Sequence, residues 1–341
     1  MNEARITLGS SSLRVAPIGL GCMGMSQFYG EADRARSIAT IRLAIGLGVN
    51  FFDTSDIYGA VGAARDRNGF GHNEMLLGEA VRGHRDEVVL ATKFGARSMP
   101  GGEVVYDGRP EYVRRACEAS LRRLGTDHID LYYCHRLDPQ VPVEETVGAM
   151  ADLVTAGKVT AIGLSNVDAD VLHRAAATAP VSALQSEYSL WERGVEAEIL
   201  PACAELGITL VAYSPLGRAA LTGRIGHDAV LDADDFRSTL PKFSPDNLRH
   251  NLSLVEELRR FSHGRGATPG QVALAWLLNQ PCDVIPIPGT KREEFLRENT
   301  AASSVVLNAD EMRELGDIFS PDRVRGGQYG ELPVSRRTRR G

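Results

Sequence analysis

Eight apolar runs of strand length, separated by segments of helical period, constrain this chain more than any other feature. The first is VAPIGLG (15–21), and the others follow at 49–53, 87–93, 128–134, 159–165, 182–188, 208–214 and 284–289. Helical spacing fills 32–48, 72–83 and the stretches between the later runs. Eight strand-then-helix units point to an α/β protein that closes as a (β/α)8 barrel. The helix boundaries carry their own signals. Pro110 opens PEYVRRACEASLRRLG and Gly125 closes it, while Pro142 precedes VEETVGAMADLVTAGK with Gly157 near its end. Before the barrel, RITLGSSSLRVA reads as an N-terminal β-hairpin about a Gly-Ser turn, placed to plug the bottom.

The 341 residues fit one such barrel over 1–325 with extra C-terminal helices. The tail 326–341 has little apolar periodicity and four arginines and is expected to be flexible. Two long stretches, 59–72 and 214–245, are punctuated by glycine or proline and are expected to be functional or mobile loops. A net charge of −6 argues against a nucleic-acid surface and for a small-molecule partner. Five scattered cysteines without CxxC spacing indicate neither a disulfide framework nor a zinc site, so a reducing cytoplasm is expected. No run is long and uncharged enough for a membrane helix, and the N-terminus lacks a signal-peptide core.

Several strand-like runs end in ionisable groups. Asp53 and Lys93 end two of them, His135 follows a third, and Tyr58 lies five residues past Asp53. In a parallel barrel these ends share one mouth. Alone, Asp53 reads as a helix cap, Tyr58 as a rim aromatic and His135 as a satisfied rim histidine. Together they read as acid chemistry on a carbonyl. A phenol is a weak acid at neutral pH, and an adjacent ammonium such as Lys93 is expected to lower its pKa. A buried lysine needs a counter-ion, and Asp53 on the neighbouring strand can supply one. His135 can donate a hydrogen bond to the carbonyl oxygen. His128 and His173 lie in ordinary strand-start and helix positions. The stretch GLGCMG (19–24) matches a dinucleotide fingerprint, but no helix opens at its third glycine, so it reads instead as a loop beside a ligand.

The blocks FFDTSDIYG, GHNEMLLGEAV, ATKFG, HIDLYYCHR, AIGLSN, LQSEY, VAYSPLGR and IPIPGTKREEFLREN follow one another in the order of the aldo-keto reductase superfamily. The chain resembles that family over nearly its whole length, most of all its bacterial and plant branch of monomeric-type NADPH-dependent carbonyl reductases. The resemblance implies that Tyr58 is the general acid, tuned by Lys93 and Asp53, and that His135 positions the carbonyl. It implies NADPH as cofactor, with Ser165, Asn166 and Gln185 on the nicotinamide carboxamide and Tyr213 stacked on its ring. Ser214, Leu216, Gly217 and Arg218 would follow the pyrophosphate. Gly289, Thr290 and Lys291 would meet the 2′-phosphate, with Glu298 and Asn299 at the adenine. Gly21, Cys22, Met23, Asp53 and Pro288 complete the implied cofactor contacts. Adjacent cations at Lys291 and Arg292 favour NADP over NAD, and a solvated helix start is the lesser reading of the pair. Phe295 departs from the family, which often has an arginine or glutamine there.

Reduction of an aldehyde or ketone, with reversal possible, is the activity expected. A cofactor-sensing regulatory protein on the same fold is the alternative, and a barrel isomerase or aldolase with Lys93 as a Schiff base is a weaker one. Phe28, Tyr29 and Trp191 are candidate apolar walls for the substrate.

Overall fold

The computed structural model describes residues 5–28, 30, 32–60, 68–99, 103–226, 229, 231–232 and 235–328. Eight parallel strands form the central sheet: β3 (Leu20–Gly21), β4 (Phe51–Asp53), β5 (Val89–Phe94), β8 (Ile129–Cys134), β9 (Val159–Ser165), β10 (Val181–Glu187), β11 (Thr209–Tyr213) and β12 (Val284–Pro286). Sequential strands pair in order from β3 to β12. The Gly19 N–H donates to the Pro286 carbonyl at 3.0 Å, and Gly21 bridges Gly289, which brings the two ends of the sheet together. The result is the expected (β/α)8 barrel.

Strands β5, β8 and β10 are buried at every position, as strands covered on both faces must be. Their two-residue alternation sorts the side chains. Phe51, Val89, Ala91, Leu131, Tyr133, Ala161, Ala183, Val211 and Ile285 pack together inside the barrel. The intervening Phe52, Leu90, Tyr132, Ile162, Leu184 and Leu210 join the layer beneath the helices. Tyr133 fills the interior beside Gly163, where an added Cβ would lie 2.5 Å from its ring.

The surrounding helices are α1 (Arg34–Gly46), α2 (His72–Ala80), α3 (Pro110–Leu124), α4 (Val143–Thr155), α5 (Ala169–Thr178), α6 (Ile199–Leu206), α7 (Pro245–His263), α8 (Pro269–Leu278), α9 (Glu293–Thr300) and α10 (Ala309–Ile318). Pro110 occupies the first turn of α3, and Gly125 ends it in the left-handed region at φ 68°. A capping box between Thr268 and Gln271 starts α8. Helix α7 is inserted between β11 and the α8–β12 unit, and α10 follows the barrel.

The N-terminal hairpin pairs β1 (Ile6–Thr7) with β2 (Arg14–Val15), and its Leu8, Leu13 and Val15 pack into the barrel interior. It plugs the bottom, as expected. A second hairpin, β6 (Ala96–Ser98) with β7 (Val104–Tyr106), rises from the end of β5 and has no counterpart in the sequence expectations. Its strands are three residues each, too short for an alternation to register. Strand β3 is also shorter than the 15–21 run, because Val15 belongs to the hairpin.

Stretch 214–245 is built around short 3-10 turns at Ala220–Thr222, Phe236–Thr239 and Pro241–Phe243. Residues 326–328 of the tail lie against this stretch and the end of β10: the Gly326 carbonyl accepts from Lys242 at 3.0 Å, and Gln328 donates to Glu187 at 3.0 Å. Residues 329–341, and 61–67 of the other long stretch, lie outside the described residues.

Gly9 holds the hairpin turn at φ 49°, with its N–H on Thr209 Oγ1 at 2.8 Å; an added Cβ would meet the Ser182 carbonyl at 2.3 Å. Gly9→Ala is expected to lower unfolding stability by about 2 kcal/mol or more through strain and clash. Gly46→Ala, in open space at the end of α1, should be neutral or stabilising by up to about 1 kcal/mol. Denaturant unfolding of both variants checks the contrast.

Candidate active site

The alternation that fills the barrel also builds the site one layer above it. On β4, Phe51 faces inward and so does Asp53. On β5, Val89 and Ala91 are followed by Lys93; on β8, Leu131 and Tyr133 by His135; on β10, Ala183 by Gln185; on β11, Val211 by Tyr213. Chain parity thus delivers these groups to one mouth. Tyr58 joins them from a turn after β4, anchored by its N–H on the Ser55 carbonyl at 3.3 Å and packed with Ile57, Ala96 and Met23.

Lys93 is fully buried, and its ammonium has three partners. It donates to Asp53 Oδ1 at 2.5 Å, to the Thr54 carbonyl at 2.8 Å and to the Tyr58 hydroxyl at 3.0 Å. Its three N–H donors are thereby used. Asp53 Oδ2 accepts from Gln185 Nε2 at 2.7 Å. The His135 ring meets the Tyr58 ring edge-on at 5.8 Å, and its Nδ1 lies 3.2 Å from Ser55 Oγ.

Burial would lower the Lys93 pKa, but Asp53 and then Tyr58 outweigh it, so the ammonium sits above the ordinary lysine value. For Tyr58, burial is the largest influence and raises the phenol. Lys93 pulls it down, Asp53 pushes it back up, and the net shift is upward. The expectation that Lys93 lowers the phenol pKa is corrected here: its pull is present, but desolvation and the Asp53 charge exceed it. Tyr58 is held as a neutral phenol with its proton in place. Burial first, then Lys93 and Arg136, hold His135 well below the ordinary histidine value, so the imidazole is neutral.

The groups expected at the nicotinamide lie together. Asn166, in the left-handed region at φ 55°, donates from Nδ2 to Ser165 Oγ at 2.7 Å, and its Oδ1 accepts from the Tyr213 hydroxyl at 2.9 Å. The Asn166 N–H reaches the Gln185 carbonyl at 2.9 Å, so this set is continuous with Asp53. On the other side, Cys22 donates its N–H to the Asp53 carbonyl at 2.9 Å. Gly21 bridges Gly289 beside Pro288, and Met23 reaches Tyr58. Burial chiefly raises the pKa of the Cys22 thiol, which stays protonated. Ser214, Arg218 and Ala219 all have positive φ around Leu216 and Gly217, three non-glycine residues in a conformation that concentrates at ligand sites.

At the far end, Lys291 Nζ donates to the Gly30 carbonyl at 3.0 Å, and Thr290 Oγ1 accepts from the Arg292 N–H at 3.1 Å. Glu298 pairs with Arg224 and accepts from Thr268 Oγ1 at 2.8 Å, while Asn299 is buried. Two guanidinium groups approach the Phe295 ring, Arg224 at 4.1 Å and Arg292 at 5.3 Å from its centre. Nothing in the sequence singles out Arg224, because it lies inside the long polar stretch and its approach to Phe295 is visible only in the fold.

Of the candidate walls, Phe28 meets Phe236 in a tilted pair at 4.9 Å, and Trp191 is buried against Phe243 as a packing residue. Tyr29 lies outside the described residues. All five cysteines are free, and no group of metal-ligating side chains occurs among the described residues. No described helix is long and apolar enough to cross a membrane.

Residues 17–319 match the family model described as Aldo/keto reductase family. The chain belongs to that family. As an aldo/keto reductase it is an NADP(H)-dependent oxidoreductase. It is similar to a glycerol dehydrogenase of Gluconobacter oxydans, with 27% identity over 94% of this chain and 97% of that one at a TM-score of 0.85. An aldo/keto reductase of Klebsiella pneumoniae, solved with NADP and acetate, is 30% identical over 97% of this chain and 100% of that one at a TM-score of 0.72. An aldo-keto reductase of Bacillus halodurans shares the fold at 24% identity, over 97% and 99% of the two chains, with a TM-score of 0.76.

Neutral His135 has a linked consequence. Its folded pKa lies below the ordinary 6.5, so below pH 6.5 the unfolded chain binds a proton that the folded chain does not. Stability is therefore complete above that value and falls as pH drops, by about 1.4 kcal/mol per pH unit from this group. His135→Gln should remove that increment of slope in urea unfolding between pH 7.5 and 5; an unchanged slope would mean that His135 takes up its proton equally in the folded and unfolded chain.

Proposed function

We propose that the protein reduces an aldehyde or ketone to the alcohol with NADPH, reversibly, and that Tyr58 donates the proton to the oxygen. The observation that carries this reading is the Tyr58 hydroxyl 3.0 Å from the buried Lys93 ammonium, which Asp53 holds from the other side. A neutral phenol keeps its proton until the substrate oxygen gains charge. Lys93 then stabilises the phenolate that the transfer leaves behind. Asp53 keeps Lys93 charged and, through Gln185, ties it to the nicotinamide end. His135, as a neutral donor, orients the carbonyl oxygen toward Tyr58.

The donor set fits the cofactor. Ser165, Asn166 and Gln185 offer hydroxyl and amide groups to a carboxamide, and Tyr213 offers a ring face. The strained turn at Ser214, Leu216, Gly217 and Arg218 suits a pyrophosphate, and Lys291 with Gly289, Thr290 and Arg292 suits a 2′-phosphate. Glu298 and Asn299 remain for the adenine, and Gly21, Cys22, Met23 and Pro288 for the opposite rim. NADPH supplies the hydride when bound.

Tyr58→Phe should lower carbonyl reduction by about 10²–10⁴-fold, the range for removing a general acid, while NADPH binding followed by fluorescence stays near normal. Retained turnover would remove Tyr58 from the acid role. Lys291→Met should weaken NADPH binding well beyond NADH binding, because NADPH alone carries the 2′-phosphate. Equal losses, measured by calorimetry, would contradict that assignment.

A further inference from the structure

Behind His135 lies a carboxyl group that the reaction does not use directly. Asp56 is buried to 1% exposure, and its Oδ2 has no hydrogen-bond partner. Its Oδ1 lies 3.4 Å from Ser55 Oγ, which in turn lies 3.2 Å from His135 Nδ1. We propose that Asp56 is a positioning residue that acts through Ser55 to hold His135 with Nδ1 as acceptor and the Nε2 proton presented to the substrate carbonyl. This rests on the reading of His135 as the group that orients that carbonyl.

Hydrogen-bond direction decides the matter. Ser55 has one hydroxyl proton and three acceptors in reach: Asp56 Oδ1 at 3.4 Å, the Lys93 carbonyl at 3.4 Å and His135 Nδ1 at 3.2 Å. The Lys93 carbonyl already receives the Asp56 N–H at 3.1 Å. An ionised Asp56 would draw the hydroxyl proton, Ser55 would accept from Nδ1–H, and Nε2 would carry a lone pair. A protonated Asp56 reverses the chain: Asp56 donates to Ser55, Ser55 donates to Nδ1, and Nε2 keeps its hydrogen.

The surroundings favour the protonated acid. From α2, Glu74 is fully buried and takes up the available cation, with Arg123 of α3 at 2.5 Å from its Oε2 and Thr92 at 2.6 Å from its Oε1. Tyr112 of α3 and Tyr132 of β8 add neutral phenols. Burial chiefly, then Glu74, raise Asp56 well above the ordinary carboxyl value, against smaller opposing pulls from Arg123, the Ser55 hydroxyl and the Ile57 N–H. An orphaned oxygen is also far less costly on a neutral carboxyl than on a carboxylate.

The test reads the ring directly. In a two-bond proton–nitrogen correlation spectrum of histidine-labelled protein near pH 7, without substrate, with His135 assigned from His135→Gln, Nε2 should be protonated and Nδ1 unprotonated. Ser55→Ala should give mixed tautomers. Asp56→Asn, whose amide still donates to Ser55, should retain the native pattern, and Asp56→Ala should lose it. Ser55→Ala should also lower kcat about tenfold, less than the roughly 10²–10³-fold lost when an oriented donor is removed outright, because His135 stays and only its tautomer is mixed, with an unchanged Kd for NADPH. A proton on Nδ1 in the native protein, an unmoved tautomer in Ser55→Ala, or unaltered kcat in that variant would overturn the proposal. The spectrum of the native protein needs neither substrate nor turnover, so a wrong tautomer is distinguishable from a failure of carbonyl reduction.

Discussion

A charged lysine with no access to water is the constraint on which the rest of this site depends. Removing one partner of a buried ion pair typically costs about 3–5 kcal/mol, so Lys93 requires Asp53 at 2.5 Å, and Asp53 requires Gln185 at 2.7 Å. Their spacing comes from strand neighbours: β4 pairs with β5 so that Asp53 stands opposite Ala91, one inward step below Lys93. Tyr58 then completes the set. Its phenol accepts the last Lys93 hydrogen and is held neutral by the same burial that makes the lysine need a counter-ion.

The same parity explains why the chemistry sits above a packed core rather than within a channel. Hairpin residues Leu8, Leu13 and Val15 close the bottom, Phe51 and Tyr133 fill the middle, and the polar layer begins only at strand ends. From there Asp53, Gln185, Asn166 and Tyr213 form one hydrogen-bonded series toward the proposed nicotinamide bed. At the end proposed for the adenosine the logic changes from hydrogen bonds to cations. Phe295 has no side-chain donor of its own, but two guanidinium groups, Arg224 and Arg292, lie within reach of its ring, each also paired with a carboxylate, Glu298 and Glu294.

Strands buried on both faces leave continuous apolar runs, and helices leave capping residues, so the barrel was legible to within a few residues. VTAIGLS (159–165) coincides with β9, and Pro110 and Gly125 bound α3 as expected. The grouping at the mouth was legible because Asp53, Lys93 and His135 stand at or just past the ends of parallel strands, which share one mouth, with Tyr58 five residues past Asp53. The hairpin at 96–106 was not, since three-residue strands carry no period. The direction of the Tyr58 shift was not either, because a sequence shows which charges are near but not how much water burial removes. Asp56 and Ser55 stayed hidden for a related reason: a carboxyl after a strand looks like a turn former until its neighbours across α2 and α3 are in place.

The most direct measurement mixes the protein with NADPH deuterated at the transferred position and a panel of aldehydes and ketones, following the nicotinamide absorbance and the isotope in the product. The expected result is many turnovers on at least one carbonyl, with deuterium on the carbinol carbon of the alcohol. Tight NADPH binding with no turnover on any carbonyl, or an alcohol without deuterium, would contradict hydride transfer at the Tyr58 site.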